Sequence, residues 1–177
     1  FKGQGINEIT VVGGYHHEAI NTQGVNVVVN DQWENSDELV SLRCALDSVA
    51  QDTVLLYGDL LFRTYILNTL MDWDSELLVV VDSSPLDGAP GNKNDLAYCS
   101  SPDDRAMYQQ KVSLEKVSRD PRWQGRKPDG RWIGMLRASG LVSRTDESVA
   151  CWGARGLVRK QGTEWRFRGG VVMRIAI

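Results

Sequence analysis

The sequence predicts an α/β fold: a doubly wound, mostly parallel sheet with a mixed or antiparallel extension. Three observations carry this. Short β-branched runs alternate with stretches of helical character over residues 9–82. The run "ELLVVVD" is apolar almost throughout, as strands covered on both faces are. Beyond residue 83 the alternation stops and short strands with mixed faces follow. At 177 residues and 42% hydrophobic content, the chain is long enough for one ordinary domain with a core.

"NEITVVGGY" reads as a strand that ends in a turn at Gly13-Gly14, with a short helix over Tyr15–Asn21 behind it. "VNVVVN" supplies a second strand, stopped by Asn30. Leu39, Leu42, Leu46 and Val49 recur at helical spacing, with Ser36 or Asp37 as N-cap. "TVLLYG" is a third strand, Tyr65–Met71 most of another helix, and "ELLVVVD" a fourth strand ending on Asp82. Strand, helix, strand in that order implies right-handed crossovers. "SSPLDGAPGNKN" is a loop by its Pro, Gly and Ser content. "DLAYCS", "KVSLEKVS" and "GRWIGMLRAS" then give the antiparallel or mixed extension.

Residues 141–177 show no periodicity and are set apart as a C-terminal segment from the domain at 1–140. They carry seven Lys and Arg against three acids, a local +4 in a chain of net charge −3. That overall charge, with a pI near 5.4, argues against nucleic acid as a partner and leaves room for a small anion held locally. Cys44, Cys99 and Cys151 lack the paired spacing of a zinc or redox site, which fits a reduced, cytoplasmic setting. No stretch reaches the roughly 20 apolar residues of a membrane span, and no leader opens the chain.

Asp59 poses the main chemical question. It follows the strand "TVLLYG", and ligands of open α/β sheets bind beyond the carboxyl ends of strands. Gly58 would allow a phosphate or metal to approach the backbone, and an ionised aspartate suits Mg²⁺. The same residue could equally cap a helix starting near Leu60. Asp82 lies on the same expected edge, as a ligand or as a loop-initiating aspartate. His16 and His17 read as surface residues, since neighbours on a helix point about 100° apart. Lys111 and Lys116 flank a strand as solvated charges or phosphonate contacts.

"GINEITVVGGYHHEAI", "VNVVVNDQWENSDELVSLRCAL", "VLLYGDLLFRTYIL" and "GRWIGMLRAS", in this order, resemble the nucleotidyltransferase superfamily over roughly residues 1–140. The likeness is greatest to cytidylyltransferase domains of phosphonate biosynthesis, often fused to phosphoenolpyruvate phosphomutase, and to choline-phosphate cytidylyltransferases. It implies a three-layer Rossmann-like sheet of the nucleotide-diphospho-sugar transferase type, and transfer of CTP onto a phosphonate or amino-alcohol phosphate. By the same resemblance, Asp59 of Gly58-Asp59-Leu60-Leu61-Phe62 holds the catalytic Mg²⁺. Asn30, Trp33, Ser41 and Leu42 match a segment near the nucleotide base. Gly134 of "GRWIGMLRAS" lets the backbone approach the acceptor, Trp132 packs, and Arg137 is a candidate for the acceptor anion. Asp146 is available by position for a second metal carboxylate.

One departure accompanies the resemblance. The family carries a glycine-rich loop ahead of the residues where this chain opens, so the chain alone is expected to be catalytically impaired and prone to self-association through an open strand edge. "VVGGYHHEAI" runs strand, Gly-Gly, helix and is read as structural rather than as a phosphate cradle. Two other readings stand beside the first: a sugar-1-phosphate nucleotidyltransferase or related glycosyltransferase, and a non-catalytic nucleotide-binding module. Glycosyltransferases of this fold want Asp-x-Asp after the strand, whereas Leu60-Leu61 follow Asp59.

Overall fold

The computed structural model describes residues 1–36, 38–49, 52–84, 95–103, 112–139, 143–145, 148–150, 157–161, 164–168 and 171–175. The proposed N-cap Asp37, most of the 83–94 loop, Lys111, Asp146 and Cys151 lie outside these residues. The chain divides into two compact units, Phe1–Ala50 and Gln51–Ile177.

In the first unit, β1 (Thr10–Gly13) and β2 (Asn26–Val29) pair in parallel, Thr10 opposite Asn26 and Gly13 opposite Val29. The expected helix over 15–21 is only a 3-10 turn at His17–Ala19. His16 before it is left-handed at φ 50°, which a continuous helix cannot accommodate. Two glycines make this tight return workable: a Cβ on Gly13 would run into His17 and Ile20, and one on Gly14 into the Trp33 ring. α1 (Glu38–Cys44) is shorter than its apolar spacing suggests, because Ala45 leaves helical geometry and a 3-10 turn at Leu46–Ser48 follows. Two strands and one short helix cannot enclose a core. Among the described residues of this unit only Gly13, Asn30 and Ala45 are buried.

The second unit holds β3 (Asp52–Leu56), α2 (Thr64–Asp72), β4 (Leu77–Asp82), β5 (Leu96–Cys99), β6 (Val112–Ser118) and β7 (Gly130–Ser139). A small hairpin follows, β8 (Ser143–Thr145) with β9 (Ser148–Ala150), then β10 (Leu157–Gln161), β11 (Glu164–Arg168) and β12 (Val171–Ile175). The large sheet runs β10-β11-β6-β12-β4-β7-β3, with β5 beside β6 and β7. Its only parallel pair among the described strands is β4 with β12. The protein is thus mixed α/β with parallel and antiparallel strands and few helices. The mostly parallel, doubly wound order does not hold for this sheet, because β7 from the antiparallel extension lies between β3 and β4 and opposes both. β3 and β4 therefore point the same way and end at one edge.

The core is densest at β4, where Leu77 to Val81 are at most 2% exposed, and Ile66, Leu67 and Leu70 of α2 are buried as well. Burying such a run is the main source of stability here, at about 1.5–3 kcal/mol per large apolar side chain. Helix α2 is tied to the sheet by Arg137 of β7. Its Nε and Nη2 donate to the two carboxylate oxygens of Asp52 at 2.9 Å each. Nη1 donates to the carbonyls of Met71 at 2.8 Å and Trp73 at 3.0 Å. These are the carbonyls a helix leaves unsatisfied at its carboxyl end. No helix among the described residues is long and apolar enough to cross a membrane.

β7 carries a bulge: its register against β4 shifts between Val79 and Val81, and Gly134 within it sits at φ 76°. The Tyr57 ring occupies the space a Cβ on Gly134 would need, and Tyr57 N–H donates to Gly134 O at 3.0 Å. Gly134→Ala is therefore expected to cost about 3 kcal/mol, from backbone strain and overpacking together. Arg137→Lys is expected to cost about 2 kcal/mol, since a lysine cannot reproduce the fork to Asp52 and still reach the helix carbonyls. Urea unfolding of the whole chain checks both through the midpoint.

Candidate functional site

Asp59 leaves the sheet three residues after β3 ends. Leu60 N–H donates to Tyr57 O at 3.3 Å, closing a turn that holds Gly58 and Asp59 outward. Both are exposed, and a Cβ on Gly58 would meet open space. Asp59 has no hydrogen bond or ion pair with any described residue. Helix α2 begins only at Thr64, with Arg63 at its N-cap position, so Asp59 does not cap it. An exposed carboxylate with no partner among the described residues is left available to a ligand.

Asp82 ends β4 on the same edge. Its Oδ1 accepts the Ser84 N–H at 2.9 Å, the arrangement of an aspartate that starts a loop. Beside it Ser83 Oγ donates to Asp103 Oδ2 at 2.5 Å. Among the described residues no three His, Cys, Asp or Glu side chains converge as a ready-made metal cage. Mg²⁺ seldom needs one: it commonly takes one or two carboxylates, with water and substrate phosphates filling the remaining positions. Asp59 fits that pattern.

The residues matched to the base-binding segment are partly brought together within the first unit. Asn30, 3% exposed at the end of β2, donates through Nδ2 to Ser36 Oγ at 2.9 Å and Ser41 Oγ at 3.1 Å. Its Oδ1 accepts the Gln32 N–H at 3.0 Å. Asn30 thus fixes the start of α1 against the end of β2, with Ser41 half-buried beside it. Leu42 is half-buried too, and Leu42 O accepts the Ala45 N–H that closes the helix.

Other residues lie elsewhere. Gly134 accommodates the Tyr57 ring, and Arg137 is committed to Asp52 and α2, with its guanidinium held above its ordinary range chiefly by the hydrogen bonds to Asp52. Trp132 is buried and packs on Tyr57 at 5.4 Å, as expected of it. Lys116 stands 5.6 Å over the Trp123 ring. His16 stands at the N-cap of the 3-10 turn and His17 opens it, and both turn Nδ1 towards Glu18, at 3.0 and 3.7 Å. The Glu18 carboxyl is held below its ordinary range by a backbone hydrogen bond first and His16 second. Sequence reading passed over Tyr57 and Asp52. An aromatic directly ahead of Gly-Asp was a usable signal for Tyr57; Asp52 offered none, since its partner stands 85 positions away.

No family model matches the chain. Among proteins of established function, it is similar to the CTP:phosphoglutamine cytidylyltransferase of Campylobacter jejuni, at 29% identity over 94 residues. The match takes in 47% of this chain and 37% of that protein, so the chain spans little more than a third of its relative's length. This likeness supports a relationship to nucleotidyltransferases of the cytidylyl-transferring kind.

Asn30→Ala is expected to destabilise the protein by about 2 kcal/mol, because the Gln32 amide and two hydroxyls lose a buried partner. Ser41→Ala should cost under about 1 kcal/mol, since Asn30 keeps Ser36. Thermal unfolding followed by far-ultraviolet dichroism distinguishes the two.

Proposed function

We propose that the chain is a cytidylyltransferase domain that uses CTP and Mg²⁺ to activate a small phosphonate or phosphate ester. The observation that carries this reading is Asp59: an exposed carboxylate with no partner among the described residues, beyond the carboxyl end of β3, in a chain similar to a cytidylyltransferase. The name of that relative gives phosphoglutamine as its acceptor, which stands beside the phosphonates and amino-alcohol phosphates that the resemblance suggests.

In the proposed reaction an acceptor oxygen, already anionic, attacks the α-phosphorus of CTP. A new P–O bond forms, the bond to the β-phosphate oxygen breaks, and pyrophosphate carries the electron pair away. No general base is required, so the protein's part is positioning and charge. Asp59 would hold Mg²⁺, whose contribution when bound is to neutralise triphosphate charge. Gly58 leaves the backbone open to the phosphates. Ser41, oriented by Asn30, is the proposed contact for the base.

A second reading, a nucleotide-binding module without catalysis, has one observation in its favour. His17 and Ile20 pack where a Cβ on Gly13 would stand and Trp33 where one on Gly14 would, which supports a packing role for this turn over a phosphate cradle. Pyrophosphate release in the presence of CTP, Mg²⁺ and an acceptor separates the two readings.

Calorimetric titration with CTP, UTP and GTP in Mg²⁺ tests the proposal. Selective, Mg²⁺-dependent CTP binding is expected, and Asp59→Asn is expected to weaken it at least about tenfold, equivalent to about 1.4 kcal/mol, without altering thermal stability. Equal affinity in wild type and variant, or binding indifferent to Mg²⁺, would sink it.

A further inference from the structure

The loop of residues 119–129, between β6 and β7, has no part in the chemistry proposed so far. Residues 116–131 hold six Lys and Arg against two Asp, in a chain whose net charge is −3. The loop is fixed from beneath. Tyr98 of β5, fully buried, donates its hydroxyl to Asp120 O at 2.5 Å and accepts the Trp123 N–H at 3.3 Å. Asp129 Oδ2 accepts the Cys99 N–H at 2.8 Å, and Asp129 N–H donates to Ala97 O at 2.8 Å. Between these anchors Gln124 is left-handed at φ 51°, a conformation a residue other than glycine keeps only where its surroundings impose it.

The charges of the loop fall into two sets. Arg126 is committed: Nη1 donates to Glu115 Oε2 at 2.6 Å, and Nη2 to Cys99 O at 2.6 Å and Asp129 Oδ2 at 3.3 Å. Lys116 lies over the Trp123 ring. The two acids are engaged as well, Asp129 as above and Asp120 through Oδ1, which accepts the Arg122 N–H at 2.9 Å. Arg119, Arg122 and Lys127 remain, all exposed, with no side-chain hydrogen bond or ion pair to any described residue. Three like charges on one fixed loop repel until an anion meets them.

Placement ties this loop to the candidate site. It leads into β7 at Gly130, where a Cβ would collide with Asp82 O, and Arg131 stands opposite Asp82. β3 and β4 both run antiparallel to β7, so their carboxyl ends point towards the residues that open it. The end of the loop therefore stands at the sheet edge that carries Asp59 and Asp82.

We propose that Arg119, Arg122 and Lys127 bind the phosphate or phosphonate dianion of the acceptor. This assignment rests on the cytidylyl-transfer reading above. In-line attack puts the acceptor oxygen on the side of the α-phosphorus opposite the leaving pyrophosphate, so the acceptor needs cations of its own, apart from whatever holds the triphosphate. Bringing a dianion up to a polyphosphate is also opposed by charge, which the cations of the loop offset. Guanidinium groups suit this part, since their planar fork pairs with two phosphoryl oxygens at once.

Titration of the full chain with methylphosphonate, followed by phosphorus NMR without nucleotide, tests this. Saturable binding is expected, and Arg119→Gln/Arg122→Gln should weaken it at least about tenfold. Neither side chain has a partner among the described residues, so the melting temperature should not move. Arg122→Lys keeps the charge but loses the fork, and should retain more affinity than Arg122→Gln and less than the wild type. Calorimetry with CTP and Mg²⁺ should find the double variant within about twofold of the wild type. No saturable binding, equal methylphosphonate affinity in wild type and double variant, or the same loss from Arg43→Gln, an exposed charge elsewhere in the chain, would each overturn the proposal. So would loss of CTP binding in place of methylphosphonate binding, which would give the loop to the triphosphate. Methylphosphonate held through these residues by a chain that does not bind CTP would count against the reaction and leave the anion site standing.

Discussion

The geometry of the candidate site depends on one contact, the Tyr57 ring seated on Gly134. It exists because β7 bulges and Gly134 takes up a left-handed conformation, leaving a depression where a side chain would otherwise stand. Tyr57 fills it, and its N–H continues the β3–β7 ladder by one more hydrogen bond. β3 is thereby held to its last residue, and the chain leaves it at a fixed place. Gly58 and Asp59 follow directly and are exposed. Arg137 plays the matching part at the opposite end of β3, where it grips Asp52 and the carboxyl end of α2.

Much of this was legible in the sequence, and the reasons divide along local and non-local lines. Every run read as a strand between residues 9 and 139 contains one, because apolar and β-branched periodicity is a local property. α2 was legible for the same reason. The order of strands in the large sheet was not: whether β7 lies outside β4 or between β3 and β4 depends on pairings between residues 49 or more positions apart. The tail showed no periodicity, yet it supplies strands β8 to β12. The helix expected after β1 failed on a single residue, His16, whose left-handed backbone no propensity scale announces.

At the level of the site, Asn30 and Ser41 entered through the resemblance as residues of a segment near the nucleotide base, and a direct hydrogen bond joins them. Asp59 was left between a ligand role and a capping role on sequence grounds. The start of α2 at Thr64 removes the capping role. Gly134 and Arg137 illustrate the opposite case: both were picked for substrate contact, and the geometry gives each a partner inside the protein. Glycine in a strand and arginine near a strand end serve packing and ion pairing as readily as they serve ligands, and only the three-dimensional neighbours distinguish the two.

The central claim is that the carboxylate beyond β3 is a divalent-cation ligand in the nucleotide complex. The most direct measurement is anomalous diffraction at a manganese-sensitive wavelength from crystals of the chain grown with CTP and Mn²⁺. The account predicts a peak within coordination distance of the Asp59 oxygens and of the triphosphate. A bound nucleotide with its metal held elsewhere, and Asp59 turned to solvent, would contradict it.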